Sequence, residues 1–551
     1  MLWRLWLGIR IALHYVGEAF RWATGRKRPF ALIRITLRGE LRETSPAGFW
    51  STRHPKTFTE LVVGLRWARE DERVQAVFIH CDHALLGWAQ VQELHRGLMA
   101  LRKAGKRVYV ALGQASAAEY VLASAADQIF LSPAGSLDMA GLSAEVWFFA
   151  RTLAKLGIEP EIIQVGEYKS AAEVFTSTEM SPAHREAAEA LLDHLFEEIA
   201  GTVAAGRQWE VQRAKELIEG GPYDPRTALE AKLVDELRDP IAAEWKVLET
   251  LGMPEGKAID FHGYTHRRSL ELRRLWWRYH GRHVAVVHVA GPLFDPPRAP
   301  ARPSPLLRDL EGLREDPRVR AVVVRVVSPG GSAFVADRLW HALERIAERK
   351  PVVTSCGDVA ASGGYYVAVV GQPLFAESAS VTGSIGVLSG KFVFRGLYDR
   401  LGIDKDRIAR GRHAGIASDA TPLTAEERAL LERHARAFYD RFVDIVAKAR
   451  ELEPERAEAA SKGRVWSGQA ALERGLVDWL GGFEQALDAA ALLGGFDPEV
   501  PPPIAHYPRP RPFWQSFFER LRPSPPIPFP AEDSVIGSGV WAWLPVQYRF
   551  R

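Results

Sequence analysis

The chain is 551 residues long, with 47% hydrophobic and 25% charged residues, so it can bury the cores of two or more globular domains. Its formal net charge of +3 is close to neutral for this length, which argues against a nucleic-acid-binding protein that works by neutralising phosphates. The two cysteines, Cys81 and Cys356, match no metal-ligand spacing, and we expect both to be buried free thiols.

The first 23 residues are rich in tryptophan and leucine but carry repeated charges. No charge-free run approaches the roughly 20 residues that a membrane-spanning helix needs. At 100° per residue four polar side chains share one face: Arg10, His14, Glu18 and Arg21. The pattern predicts an amphipathic helix in a membrane interface, within an anchoring segment at 1–28. The alternative is a soluble helix docked on the protein's own core, whereas a cleaved signal peptide fits poorly.

An internal repeat organises the rest of the chain. Three pairs of residues match at a step of 245: Phe130 with Phe375, Gly141 with Gly386, and Gly166 with Gly411. Near the ends of the repeats, ALEAKLVD at 228–235 matches ALERGLVD at 471–478 at a step of 243. We therefore predict a tandem duplication. The predicted units are a first half at 29–255, a linker at 256–282, a second half at 283–497 and a proline- and aromatic-rich tail at 498–551.

Each half alternates β-branched runs with helical patterns, which predicts an α/β fold with parallel strands and crossover helices. The predicted strands include 74–80, 319–327 and 351–355. Long amphipathic helices are predicted at 182–205 and 425–449, the second opened by a capping box of Thr424 and Glu427. We expect the tail to be extended and to rest on a neighbouring subunit or on lipid.

The stretch DVAASGGYY at 358–366 places Ser362 before two glycines. Small neighbours let a substrate carbonyl approach closely, although such a serine taken alone is more often part of a tight turn. At the step of 245, Ser362 falls on Ala117, and Lys169 falls on Ala414. One half keeps a serine without the lysine and the other keeps a lysine without the serine. This complementary loss predicts one active site divided between the halves.

Other residues offer further candidates. The stretch SPGGS at 328–332 follows a predicted strand, so the amide of Gly330 or Gly331 could join that of Gly363 in an oxyanion hole. His413, with Asp419 behind it, and Lys391 are competing bases, and we expect both to be surface residues. The cluster formed by His80, Asp82 and His83 has no regular metal spacing and is predicted to be a loop. No Gly-x-Ser-x-Gly elbow is present, which argues against an α/β-hydrolase.

Four motifs carry a resemblance to a known family: DVAASGGYY, SPGGS, YKSAAE at 168–173 and VTGSIGV at 381–387. From about residue 30 to 495 the chain resembles the long, duplicated form of signal peptide peptidase A, a membrane-bound serine protease family that uses a Ser–Lys dyad. The resemblance implies that Ser362 is the nucleophile, Lys169 the general base and Ser384 a hydroxyl bound to the lysine. It also implies the β-β-α spiral shared with the Clp protease and crotonase families, and a homotetramer.

These observations predict a serine endopeptidase that needs no cofactor or metal and cleaves apolar peptides, such as cleaved signal peptides, through an acyl-enzyme. We expect a homo-oligomer at the bacterial inner (cytoplasmic) membrane, with peptides and the membrane as partners and no nucleic acid. The alternatives are a crotonase-like acyl-CoA enzyme and a non-catalytic membrane scaffold. Neither alternative has a use for Lys169.

Overall fold

The computed structural model describes residues 32–44, 57–254, 258–294, 305–509 and 540–543. The predicted amphipathic helix at the N-terminus lies outside these ranges. No helix within them has both the length and the apolar composition that crossing a membrane requires.

A six-stranded parallel sheet forms the centre of the first half. Its strand order is β6-β4-β3-β2-β1-β7, and each neighbouring pair is parallel. Parallel neighbours need crossover connections, which the helices of this half supply. The strands of this part of the chain are β1 (Leu32–Glu40), β2 (Ala76–Leu85), β3 (Arg107–Ser116), β4 (Gln128–Asp138), β5 (Glu159–Val165), β6 (Glu236–Leu237) and β7 (Ile259–Asp260).

A larger, mostly parallel sheet forms the centre of the second half. Its main order is β15-β13-β11-β9-β8-β17; β12 adds to β11 and carries β16, and β15 alone runs antiparallel to its neighbour. The strands of this part are β8 (His283–Ala290), β9 (Val319–Ser328), β10 (Gly330–Ser332), β11 (Val352–Ala361), β12 (Leu374–Ala376), β13 (Val381–Gly383), β14 (Val387–Val393), β15 (Val465–Ser467), β16 (Trp479–Leu480), β17 (Ile504–Tyr507) and β18 (Val540–Trp543).

Helices surround both sheets. Those before β8 are Phe58–Glu70, Trp88–Lys103, Ala117–Ala123, Ala150–Leu156, Glu173–Thr176, Pro182–Arg207, Val211–Glu219, Pro225–Glu230, Pro240–Thr250 and Phe261–Trp277. Those after β8 are Pro305–Glu315, Ala333–Ala347, Gly363–Ala368, Arg395–Leu401, Ala425–Ala449, Pro454–Ala460, Gly468–Glu473 and Phe483–Leu493. The helices Trp88–Lys103 and Ala333–Ala347 begin 245 residues apart, the step found in the sequence.

A small antiparallel sheet joins the halves, with the order β10-β18-β14-β5. Within it, β5 of the first half pairs with β14 of the second half, from Val165 opposite Val387 to Glu159 opposite Val393. We call this pairing the β5–β14 seam. Lys169 lies four residues after β5 and Ser384 lies three residues before β14, so the seam brings these two residues together.

The hydrophobic core also crosses the boundary between the halves. One buried cluster contains Leu94 of the first half together with Val323 and Phe483 of the second. The halves therefore share part of one core, and their relative placement is set by packing as well as by the seam.

The long helices agree closely with their predictions. The first runs from Pro182 to Arg207, and the second covers Ala425–Ala449, with the Thr424 hydroxyl accepting from the N–H of Glu427 as in a capping box. The predicted strand at 351–355 continues further, to Ala361, because the small residues that follow also pair in the sheet. This extension carries the chain directly to Ser362.

One local prediction was wrong, and the segment predicted to be a linker has a helix. The stretch with His80, Asp82 and His83 is not a loop, since it lies inside β2, where His83 adopts a φ of 54° beside a register shift in the pairing with β1. The expected polar linker contains the helix Phe261–Trp277. Its Phe261 side chain is buried in the core of the first half, which explains why the segment is ordered.

The seam predicts the effect of a substitution at Gly390 in β14. A Cβ there would lie 2.2 Å from the Glu161 carbonyl oxygen, and the φ is +156°. We expect Gly390→Ala to lower the free energy of unfolding by roughly 2 kcal/mol or more, because the strands must separate. Gly402→Ala is the matched control, since Gly402 also has a positive φ but nothing lies within 4 Å of its Cβ position. Equal losses in urea denaturation would contradict a tightly packed seam.

Candidate active site

Ser362 lies at the junction of β11 and the helix Gly363–Ala368, on a strained turn. Its φ of 54° and ψ of −121° are unusual for a non-glycine residue. The Ser362 N–H donates to the carbonyl oxygen of Gly383 at 2.8 Å, which holds the turn in place. A Cβ at Gly364 would lie 2.4 Å from the Ser328 carbonyl oxygen, so the second glycine of the motif lets two chain segments touch.

Lys169 enters the site from the first half and is 1% exposed. Its Nζ lies 2.7 Å from Ser362 Oγ, 2.9 Å from Ser384 Oγ and 2.9 Å from the Ser384 carbonyl oxygen. The structure therefore brings together all three side chains of the predicted catalytic set, within one chain.

Burial lowers the pKa of Lys169 to about 7. Desolvation disfavours the charged ammonium, so a substantial fraction of the amine is neutral near neutral pH. Three hydrogen-bonding contacts surround Nζ, which matches the three directions available to a tetrahedral amine nitrogen. The arrangement can therefore accept a proton from Ser362 Oγ and later donate it.

Ser384 presents both its hydroxyl and its carbonyl to the lysine. This geometry depends on a φ of 51° at Ser384, and the Ser384 N–H donates to the Arg464 carbonyl oxygen at 2.7 Å. A hydroxyl and a carbonyl on one residue fix the Nζ position without adding a negative charge. A carboxylate in their place would favour the ammonium form and raise the pKa of Lys169.

Two glycines leave space for the backbone and side chain of Lys169, a role that the sequence did not predict for either of them. A Cβ at Gly463 would lie 2.5 Å from the Lys169 backbone nitrogen, and one at Gly386 would lie 3.0 Å from Lys169 Cδ. Gly386 belongs to the VTGSIGV motif, which was the available signal. Gly463 comes close only through folding, and its positive φ of 81° is not visible in the sequence.

The three glycines predicted for an oxyanion hole are all buried, but their amides differ. The Gly330 N–H donates to Ser328 Oγ at 3.2 Å. Gly363 is the first residue of a helix, where the N–H groups have no acceptor within the helix. Gly331 adopts a φ of +155°, and a Cβ there would lie 2.3 Å from the Leu293 carbonyl oxygen, so only glycine fits this position.

The competing bases contact other groups. Lys391 is buried, not on the surface as expected, and its Nζ donates to the carbonyl oxygens of Ser418 and Thr421. His413 is partly exposed and lies 3.6 Å from Glu426, while Asp419 binds Tyr398 and Lys405.

Two further observations concern the cysteine thiols and groups of potential metal ligands. Cys81 and Cys356 are buried and free, as expected. Within the described ranges, no group of three or more histidine, cysteine or acidic residues could hold a metal ion.

The sequence matches the model of peptidase family S49 over residues 100–247 and 344–496, one segment in each half. It is 30% identical to "Serine protease SPPA, chloroplastic" of Arabidopsis thaliana, covering 86% of this chain and 70% of that protein. It is also 30% identical to "Protease 4" of Salmonella typhi, covering 79% of this chain and 71% of that protein. A ClpP1 mutant structure from Listeria monocytogenes matches 38% of this chain and 98% of that chain, at 13% identity and a TM-score of 0.24.

The two matched segments, one in each half, confirm the family resemblance that the motifs indicated. They also confirm the duplicated α/β fold class. The relatives are proteases by name, so the acyl-CoA enzyme and the scaffold are set aside as alternatives. The chain belongs to peptidase family S49 and is a serine peptidase.

Proposed function

We propose that Ser362 is the nucleophile of this peptidase and that Lys169 is its general base. The observation that carries the proposal is the 2.7 Å contact between Lys169 Nζ and Ser362 Oγ, made by an amine whose pKa burial lowers to about 7. A neutral amine directs its lone pair to the Ser362 hydroxyl and its two N–H groups to the oxygens of Ser384. The serine hydroxyl is then activated as it begins its attack.

The steps conserve every proton. Ser362 Oγ attacks the scissile carbonyl carbon while its proton passes to Lys169 Nζ. The resulting ammonium gives that proton to the leaving amine as the carbon–nitrogen bond breaks, which leaves an ester on Ser362. A water molecule then attacks the ester, again with transfer of a proton to Lys169. That proton returns to Ser362 Oγ as the acid product leaves.

Two backbone amides would stabilise the negative charge that develops on the carbonyl oxygen. We assign this role to Gly363 and Gly331, because the Gly330 N–H already donates to Ser328 Oγ. Loss of one such donor typically costs about 3 kcal/mol of transition-state stabilisation.

The substrates in this proposal are apolar peptides bound in an extended conformation. The chain's own β18, with the sequence Val-Trp-Ala-Trp, lies antiparallel to β10 and β14 at once, with Ala542 opposite Gly331 and Trp541 opposite Leu388. A peptide strand in this position passes beside the glycine assigned to the oxyanion hole. Cleaved signal peptides have the required apolar composition.

We further propose that the chain associates with the bacterial inner membrane through residues 1–28. The support is the amphipathic pattern of residues 1–23, with Trp3, Trp6 and Trp22 as aromatic anchors. Apolar peptides released within a membrane would then be close to the enzyme.

The β5–β14 seam suggests how copies of the chain could assemble. At the step of 245, β5 corresponds to residues 404–410 and β14 corresponds to residues 142–148. Residues 404–410 are all exposed and lie outside helices and strands, and Ile408 is 86% exposed. In the other segment Trp147 is 73% exposed. We propose that 404–410 of one chain pairs with 142–148 of the next. Such a head-to-tail contact forms a ring where its rotation closes after a whole number of copies, and closure after four copies would give a tetramer.

The dyad predicts large losses of activity. Ser362→Ala and Lys169→Ala should each lower kcat for peptide hydrolysis by roughly 10⁴-fold or more. A fluorophosphonate probe should label the parent protein and not Ser362→Ala. Because only the neutral amine accepts a proton, kcat/KM should rise with pH through about 7, the pKa of Lys169. Lys391→Met, which removes a buried lysine that binds loop carbonyls, is the control and should keep this pH profile.

The strand position predicts competition between substrates and the chain's own tail. A chain ending at Arg509, and a full chain with Ala542→Pro, should both show a lower KM for an apolar peptide with little change in kcat. Proline removes an N–H that a strand in this sheet can donate. Ala505→Ser, in β17 away from this sheet, is the control. An unchanged KM in both altered proteins would argue against peptide binding between β10 and β14.

The assembly proposal predicts that Ile408→Asp weakens self-association. A charge at this position disfavours burial in an interface. Ile241→Asp is the matched control, because Ile241 is also exposed, at 62%, but lies on the helix Pro240–Thr250. Light scattering should show a smaller mass for Ile408→Asp than for Ile241→Asp. The same mass for both would contradict the proposed pairing.

A further inference from the structure

Two helices at the boundary between the halves begin with a glycine at the N-cap position. They are Trp88–Lys103, preceded by Gly87, and Phe483–Leu493, preceded by Gly482. Each has a glutamine at its third residue, whose side-chain oxygen accepts from the N–H of the N-cap glycine, at 3.3 Å for Gln90 and 2.9 Å for Gln485. This is one side of a capping box, and glycine has no side chain to supply the other side.

The missing acceptor comes from the opposite half in both cases. Asp358 Oδ1, in the second half, accepts from the Gln90 N–H at 3.1 Å. Glu93 Oε1, in the first half, accepts from the N–H groups of Phe483 and Glu484. Gln90 and Glu484 are the third and second residues of their helices, whose N–H groups an N-cap side chain normally satisfies. The two halves thus exchange helix caps.

The carboxylates of Asp358 and Glu93, each contributed by the opposite half, explain why the N-cap residues are glycines. A Cβ at Gly87 would lie 2.2 Å from the Asp358 carboxyl carbon, and a Cβ at Gly482 would lie 2.2 Å from the Glu93 carboxyl carbon. Neither glycine has a positive φ, so backbone conformation does not require them. Glycine is required at both positions because a side chain would occupy the space of the carboxylate.

The repeat provides an internal comparison. The counterpart of Trp88–Lys103 is Ala333–Ala347, whose own Ser332 hydroxyl accepts from the Val335 N–H. The counterpart of Phe483–Leu493 is Pro240–Thr250, whose own Asp239 carboxylate accepts from the Ile241 N–H at 2.9 Å. The two counterparts cap themselves, so exchanged capping is not a general property of this fold unit.

The exchanged caps connect directly to the strands that carry the site. Asp358 lies in β11, four residues before Ser362. Arg325, in β9, binds Ser355 Oγ of β11 at 2.8 Å and forms ion pairs with Glu43 and Glu93 of the first half. Arg325 is buried, and β9 ends at Ser328, three residues before Gly331 of the proposed oxyanion hole.

We propose that Asp358 and Glu93 are positioning residues, whose exchange of helix caps between the halves holds Ser362 in reach of Lys169. The inference rests on the proposed Ser–Lys dyad. Each half alone contains only one member of the dyad, so the 2.7 Å contact depends on the register between the halves. The two caps, together with the ion pair between Arg325 and Glu93, fix that register close to the strand that carries Ser362.

The test separates positioning from helix stability. Asp358→Ala should lower kcat by on the order of 100-fold, as expected for a displacement of about 1 Å at a reacting group, and should also lower the Tm. Asp358→Asn keeps an oxygen acceptor and should retain more of kcat. In the double variant Gly87→Ser/Asp358→Ala, we expect the serine to cap its own helix, because the three atoms nearest the Gly87 Cβ position all belong to the Asp358 carboxylate.

We expect the double variant to regain the Tm but not kcat. In both Asp358→Ala and the double variant, the rise of kcat/KM with pH should move to higher pH, because a displaced Lys169 is better solvated. Recovery of kcat together with the Tm would overturn the proposal, since the cap would then act through stability alone. So would an Asp358→Ala protein with a lower Tm and unchanged kcat. Failure of the dyad is a different result: Ser362→Ala would then keep its activity, whatever the cap variants do.

Discussion

The burial of the Lys169 amine away from water is the constraint on which the rest of this structure depends. Lys169 can act as a base only if its ammonium form is disfavoured, and burial lowers its pKa to about 7. The three contacts of Nζ are with a serine carbonyl and two serine hydroxyls, none of which carries a charge. The fold therefore has to enclose the lysine without giving it an acidic partner.

Enclosure comes from the second half of the chain, which also carries Ser362, the proposed nucleophile. The β5–β14 seam places Lys169 in the site. Gly463 leaves space for the Lys169 backbone, and Gly386 leaves space for its side chain. A duplicated protein could have kept two complete sites. Here Lys169 of the first half contacts Ser362 and Ser384 of the second half, so the proposed catalytic unit is the pair of halves.

The first half has a glutamate where the second half has the second glycine of the Ser362 motif. Glu119, the counterpart of Gly364 at the step of 245, is buried and accepts from the N–H groups of Ala84 and Ser116. In the second half the equivalent glycine is needed because a Cβ there would meet the Ser328 carbonyl. The Glu119 carboxylate therefore connects the end of β2 to the start of the helix Ala117–Ala123, which is a structural role.

The repeat explains how much of this could be predicted. Comparing the halves within one sequence singled out Ser362 and Lys169, and local patterns predicted the helix Ala425–Ala449 with its cap. The seam was not predicted, because β5 and β14 are more than 220 residues apart and their pairing follows from tertiary packing. For the same reason Asp358 appeared only as part of a motif. Nothing in the local sequence shows that its carboxylate caps a helix of the other half.

The strained turn at Ser362 is the second half's contribution to the site. A φ of 54° at a serine is unfavourable, by an amount on the order of 1–3 kcal/mol, and persists only where surrounding contacts determine the backbone. The Ser362 N–H is bound to Gly383, and the next residue of that segment, Ser384, is itself strained and bound to Arg464. Both strained serines face the one lysine that arrives from the other half. The acceptors of both backbone N–H groups lie in the second half, and the position of the first half decides whether Lys169 reaches the two serines.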